Sequence, residues 1–181
     1  MTTFVALLRA VNVSGKNRIS MAELRRALGG SGFAGAETYL QSGNVVFDAE
    51  GDDPATHAAK LREVIEREFG HDVPVLVLKA AELAHIAAAN PFVGPGADEK
   101  SLHVTFLEEP AAEAAFGGLD LPAQGDEQAV LAGRVVYLHL PYGYGRTRLN
   151  NACFERALKT SATTRNWRTV LALVEMRGPG T

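Results

Sequence analysis

The chain has 181 residues, 46% hydrophobic and 22% charged, with a formal net charge of −3 and a single cysteine, Cys153. A chain of this length buries roughly 70% of the surface it exposes when unfolded, enough for one core or two small ones. One cysteine excludes an internal disulfide, no apolar run approaches the ~20 residues of a membrane span, and Met1–Arg9 lacks the basic start of a signal peptide, so the expected location is the cytoplasm.

Thr3–Val11 is a dense apolar run, short enough for a buried central strand. Ser20-Met21-Ala22-Glu23 is a capping box and predicts a helix from Met21; Met21, Leu24 and Leu28 share its apolar face, and Gly29, Gly30 and Gly32 stop it. Glu37–Gln41 and Val45–Asp48 read as strands joined through Ser42-Gly43. Asp53-Pro54 supplies an N-cap and a first-turn proline to a helix that carries Leu61, Ile65 and Phe69 and ends at Gly70. Val73–Leu78 is a further strand. The order β-α-β-β-α-β is that of a split βαβ, ferredoxin-like unit. In that topology strands one and two run the same way, with strand three antiparallel between them. The loop Asn12–Arg18 then belongs beside Gln41-Ser42-Gly43-Asn44.

The second half is partly similar. A helix over Ala81–Ala89 ends at Asn90-Pro91, and Phe92–Lys100 is a loop. Leu102–Leu107 is a strand, Pro110–Phe116 a helix, and Gln128–Leu131 with Arg134–Leu140 a hairpin through Ala132-Gly133. Helices over 148–159 and 164–177 close the chain. The expected class is α+β: two ferredoxin-like (split βαβ) halves related by duplication, residues 1–79 and 80–181, the second ending in two helices.

Charge is distributed unevenly. Residues 9–26 hold five basic side chains against one acid, residues 146–168 six against one, and residues 48–127 five against seventeen. Chance segregation and an anionic partner both account for this pattern. The two basic stretches coincide with polar loops. The first contains Arg9, Asn12, Ser14, Gly15, Lys16, Asn17 and Arg18; the second runs from Tyr142-Gly143-Tyr144-Gly145-Arg146 through Asn150 and Asn151 to Thr163-Thr164-Arg165-Asn166-Trp167. Ser14-Gly15-Lys16 is not a P-loop, because Ala10 replaces the leading glycine and Asn17 the magnesium-binding hydroxyl. It suits a looser anion nest of backbone amides, or a plain turn in which Gly15 and Asn17 take positive φ. Gln41, Ser42 and Asn44 suit either a tight hairpin or a polar rim that reads base edges. Thr163 and Thr164 precede the last predicted helix, where they would cap it or leave amides for an anion. Trp167, Val170, Leu171 and Val174 fall on one face at core spacing. Cys153 sits among apolar neighbours and reads as buried. His57 and His71 flank a solvated helix, and the five histidines show no ligand spacing, so neither a metal nor a cofactor is expected.

Leu8-Arg9-Ala10-Val11-Asn12-Val13, Gly15-Lys16-Asn17, Tyr39-Leu40-Gln41-Ser42-Gly43-Asn44-Val45-Val46-Phe47 and Thr163-Thr164-Arg165-Asn166-Trp167 together resemble the bacterial family catalogued as domain of unknown function 1697, over about residues 2–176. The resemblance implies a duplicated ferredoxin-like α+β architecture and carries over no catalytic assignment. It draws attention to Arg9, Asn12, Gly15, Lys16, Asn17, Gln41, Ser42, Gly43, Asn44, Arg146, Asn151, Thr164, Arg165, Asn166 and Trp167.

The leading expectation is binding of an anionic ligand, nucleic acid or a nucleotide, at loops 9–18, 41–44 and 142–168. An alternative is an enzyme acting on a phosphorylated or carboxylated small molecule. Arg9, Lys16 and Arg165 would hold the anion, Asn12, Gln41 or Asn44 would polarise a carbonyl, and His103 or His139 would serve as base. A third is a protein-interaction module. No membrane partner is expected, and the assembly is a monomer or homodimer.

Overall fold

The apolar run at the N-terminus forms β1 (Thr2–Leu8), whose Phe4 to Leu8 are all buried. In the computed structural model, which describes residues 1–176, β1 is followed by α1 (Met21–Gly29), β2 (Glu37–Tyr39), β3 (Asn44–Ala49), α2 (Pro54–Phe69) and β4 (Val75–Lys79). The sheet order is β2-β3-β1-β4, all antiparallel. A strand buried on both faces belongs at the centre of a sheet, and β1 lies between β3 and β4. Helix α1 starts where the capping box predicts, with Ser20 Oγ accepting from Glu23 N at 3.4 Å. Asp53 caps α2 through Ala55 N and Thr56 N, and Gly70 ends it at φ 71°. Leu24 and Leu28 of α1 and Leu61 and Ile65 of α2 close over Phe4, Leu8, Val45 and Phe47 as one apolar core. His57 belongs to this core rather than to a solvated surface. It is 8% exposed and lies 4.5 Å from the Phe4 ring, with Phe33 and Phe47 beside it.

The chain continues with α3 (Ala80–Ala88), a 3-10 turn (Glu99–Ser101), β5 (Leu102–Leu107), α4 (Glu113–Gly117), β6 (Gln128–Ala132), β7 (Val135–His139), α5 (Asn151–Leu158), β8 (Ala162–Asn166) and α6 (Trp167–Met176). The second sheet has the order β6-β7-β5-β8, again antiparallel. Residues 164–166 are therefore strand and not the start of the last helix, which begins at Trp167; its expected end at 177 lies outside the described residues. The cause is register: Thr163, Thr164, Arg165 and Asn166 pair with Phe106, Thr105, Val104 and His103, and threonine favours a strand when a partner is present.

The molecule is a mixed α/β structure with two four-stranded antiparallel sheets and, among the described residues, six α-helices. It divides into two compact units. Among the described residues, one comprises Met1–His85 with 172–176, the other Ile86–Leu171. In the second, Phe154 and Leu149 pack on Leu107, Val136 and Leu138. Cys153 and Trp167 are both buried. No helix among the described residues is long and apolar enough to cross a membrane.

Candidate functional site

Beyond β1 the chain makes a loop of unusual backbone. Ala10, Asn12, Ser14, Gly15 and Asn17 have φ of 54°, 55°, 51°, 74° and 46°. Each left-handed non-glycine residue costs about 1 kcal/mol, so the loop is held by specific bonds. Asn12 is the clip: Oδ1 accepts from Ile19 N at 2.9 Å, while Nδ2 donates to Ile19 O at 2.9 Å and Gln41 O at 2.7 Å. Asn17 Nδ2 donates to Ala10 O at 3.1 Å, Asn12 N to Asn17 O at 3.2 Å, and Lys16 N to Val13 O at 3.0 Å. Positive φ at 10, 12 and 14 alternates with ordinary φ at 11 and 13, and Val13 and Lys16 face each other as an isolated antiparallel bridge.

The hairpin between β2 and β3 is a four-residue link, Leu40 to Gly43, longer than the expected Ser42-Gly43 turn, because Tyr39 already pairs with Asn44. Leu40 has φ 57° and Gly43 φ 79°. Gly43 O accepts from Leu8 N at 2.8 Å. The fully buried Asn44 donates from Nδ2 to Tyr39 O at 2.9 Å and Ser42 Oγ at 3.1 Å. The Asn12–Gln41 bond thus brings loop and hairpin together as the strand order requires. Within this pair, Asn12, Asn17 and Asn44 use their amides to hold backbone. Gly15, Lys16, Arg18, Gln41 and Ser42 are exposed, and Arg9 is half-buried at the end of β1. Gly15 and Arg18, with Asn12, Ile19, Ser20 and Glu23, line an open concavity of about 500 Å3 over the start of α1.

The second polar segment lies in the other unit and is divided by what its side chains do. Arg146 is exposed, its N–H bonded to Gly143 O at 3.3 Å. Asn150 caps α5, its Oδ1 accepting from Cys153 N at 3.1 Å, and burial raises the Cys153 thiol pKa. Thr163 and Thr164 cap nothing. That role falls to Asn166, whose Oδ1 accepts from Thr169 N at 2.9 Å. Thr164 instead joins a relay, with its Oγ1 donating to Asn151 Oδ1 at 2.7 Å. Since that bond uses its proton, the fully buried Thr105 is the donor across the 2.8 Å Oγ1–Oγ1 contact. Arg165 is 8% exposed, with Nη1 donating to Thr163 Oγ1 at 2.8 Å and Thr164 O at 3.0 Å. Burial lowers its pKa to about 10, which leaves it charged at neutral pH.

Beside this relay, on the next inward-facing position of β5, is His103. Its ring stacks on Tyr144 at 5.3 Å, and Nδ1 has no well-aligned hydrogen bond among the described residues. Burial holds its pKa below the ordinary value, with the backbone of Ser101 opposing. His139 lies against the Phe92 ring at 5.9 Å. Sequence reasoning missed the Thr105–Thr164–Asn151 relay and the two exposed aliphatic side chains of the first site, Val13 and Leu40. Threonines in a strand carry no pairing signal of their own, and exposure is not written in a residue's identity.

The family described as Protein of unknown function (DUF1697) matches residues 1–137. The solved structure of the conserved bacterial protein SP0830 from Streptococcus pneumoniae is similar, with a TM-score of 0.71 and 22% identity, covering 97% of this chain and 98% of that one. At that identity the likeness bears on the fold alone. No curated protein matches the chain.

Proposed function

We propose that this chain, which belongs to the DUF1697 family of proteins of unknown function, binds an anionic ligand, nucleic acid or a nucleotide, at the loop Arg9–Arg18 and the hairpin Gln41–Asn44. The observation that carries this reading is the run of left-handed residues from Ala10 to Asn17 beside exposed Lys16 and Arg18. Strained backbone held by a dedicated clip is a feature of ligand sites, and the exposed Lys16 and Arg18 beside it supply charge-assisted donors for phosphate oxygens. The exposed Arg146 belongs to the second polar segment, in the unit Ile86–Leu171. We read each half as ferredoxin-like and the pair as a duplication. Both sheets run second-third-first-fourth strand, and that order supports this. The cytoplasm is the place of action this reading assumes.

The test is fluorescence anisotropy with a labelled single-stranded oligonucleotide and a labelled nucleotide across a salt series. Two phosphate contacts on a single strand give a log–log salt slope of about −1.4, or about a sevenfold loss between 50 and 200 mM salt. Lys16→Ala and Arg18→Ala are each expected to weaken binding and flatten the slope by about 0.7. Binding that ignores salt, or no binding to either probe, removes the proposal.

A second reading, an enzyme acting on a phosphorylated or carboxylated small molecule, draws support from His103, a buried neutral imidazole beside the Thr105–Thr164–Asn151 relay. An unprotonated ring is the form a general base requires. A substrate screen in which His103→Phe leaves every turnover unchanged eliminates it.

A further inference from the structure

We infer that Val13 and Leu40 form an apolar seat for unstacked bases, so that the first site takes single-stranded nucleic acid rather than free phosphate; this rests on the anion-binding reading above. Both side chains are 54% exposed. They are the chain neighbours of Asn12 and Gln41, which are joined by the 2.7 Å Nδ2–O bond, so both lie where the loop meets the hairpin. Leu40 is at φ 57°, where a bulky side chain is disfavoured and glycine or asparagine would serve the turn better. The Leu40 side chain is not part of the buried core.

The neighbouring groups sort by chemistry. Lys16 and Arg18 on the loop are exposed cations for phosphates, and the exposed Gln41 and Ser42, which follow Leu40, offer donors and acceptors to a base edge. Contact of an apolar side chain with the face of a base needs that base out of its duplex stack, which points to a single strand. A bilayer is a poorer fit, because two aliphatic side chains fall well short of the apolar surface that stable membrane attachment takes.

The experiment compares an oligothymidylate with an abasic oligonucleotide of the same length and phosphate count, measured by anisotropy on the full chain. The wild type is expected to bind the base-containing strand about tenfold more tightly. The double variant Val13→Ser, Leu40→Ser is expected to bind both strands equally while keeping the salt slope of the wild type. Leu40→Gly, which relieves the left-handed leucine, is expected to lose part of the preference with its fold intact by circular dichroism. Equal affinity of the wild type for the two strands, with salt dependence retained, overturns this inference and leaves phosphate binding standing. A preference that survives in the double variant also overturns it, as does cosedimentation with phosphatidylserine vesicles that depends on Val13 and Leu40. Absence of salt-sensitive binding to either strand overturns both readings.

Discussion

Gly43 shows how much of the first site depends on one missing methyl group. A Cβ there would stand 2.7 Å from Leu8 Cβ and 3.3 Å from Val11 Cβ, on a backbone at φ 79°. The hairpin is pressed against β1 where Leu8 N donates to Gly43 O, and only glycine permits that approach. Gly43→Ala is expected to destabilise the protein by about 2–4 kcal/mol, combining left-handed strain with overpacking. Gly15 has a similar φ of 74°, but its nearest neighbour is the tip of Arg18 at 3.8 Å. Gly15→Ala should therefore cost about 1 kcal/mol. Urea unfolding of the two variants checks the contrast, and equal losses would refute the packing argument. A glycine in a hairpin is legible from sequence, whereas the clash with Leu8 is not, because it depends on a residue 35 positions away.

At the level of elements, the reading of residues 163–166 turned on which partner their polar groups find. Taken alone, Thr163-Thr164 before an apolar helical stripe reads as a cap. In the fold β5 supplies a strand to pair with, the threonines join the sheet, and the cap moves to Asn166. Substitutions separate the two roles. Asn166→Ala is expected to cost about 1 kcal/mol, the usual value of a lost N-cap. Thr164→Val keeps the β-branched shape but breaks the relay. It leaves Thr105, which is fully buried, without its acceptor, for an expected loss of about 1–3 kcal/mol. Thermal unfolding of both variants checks these values. A neutral Thr164→Val would mean that the relay contributes nothing to stability. By contrast α1 and α2 were legible to within a residue, since Ser20, Asp53 and Gly70 act on backbone groups within four positions of themselves.

For the molecule as a whole, the pH dependence of stability carries a signature of the buried imidazole. The pKa of folded His103 lies below its ordinary value because burial penalises the charged ring. Below about pH 6.5 the unfolded chain therefore takes up a proton that the folded chain resists, and this group lowers stability as pH falls; above that pH it contributes nothing. His103→Phe, which keeps an aromatic ring against Tyr144, is expected to flatten the decline between pH 7.5 and 5.5 in urea unfolding. An unchanged decline would show that His103 is protonated as readily in the folded state as in the unfolded one.

The sequence by itself determined the elements whose causes are local: the apolar run of β1, the caps of α1 and α2, the hairpins, and from their order the strand arrangement of the first sheet. It also determined that the Asn12 loop and the Gln41 hairpin are neighbours, because strand order alone puts them at one sheet edge. Only the tertiary structure decided what the polar side chains do there. A hydrogen-bonding group works on whatever lies within about 3 Å of it, and the fold places backbone carbonyls beside Asn12, Asn17 and Asn44. The same proximity turned Thr164 from a cap into a strand residue and left Lys16, Arg18, Val13 and Leu40 facing solvent.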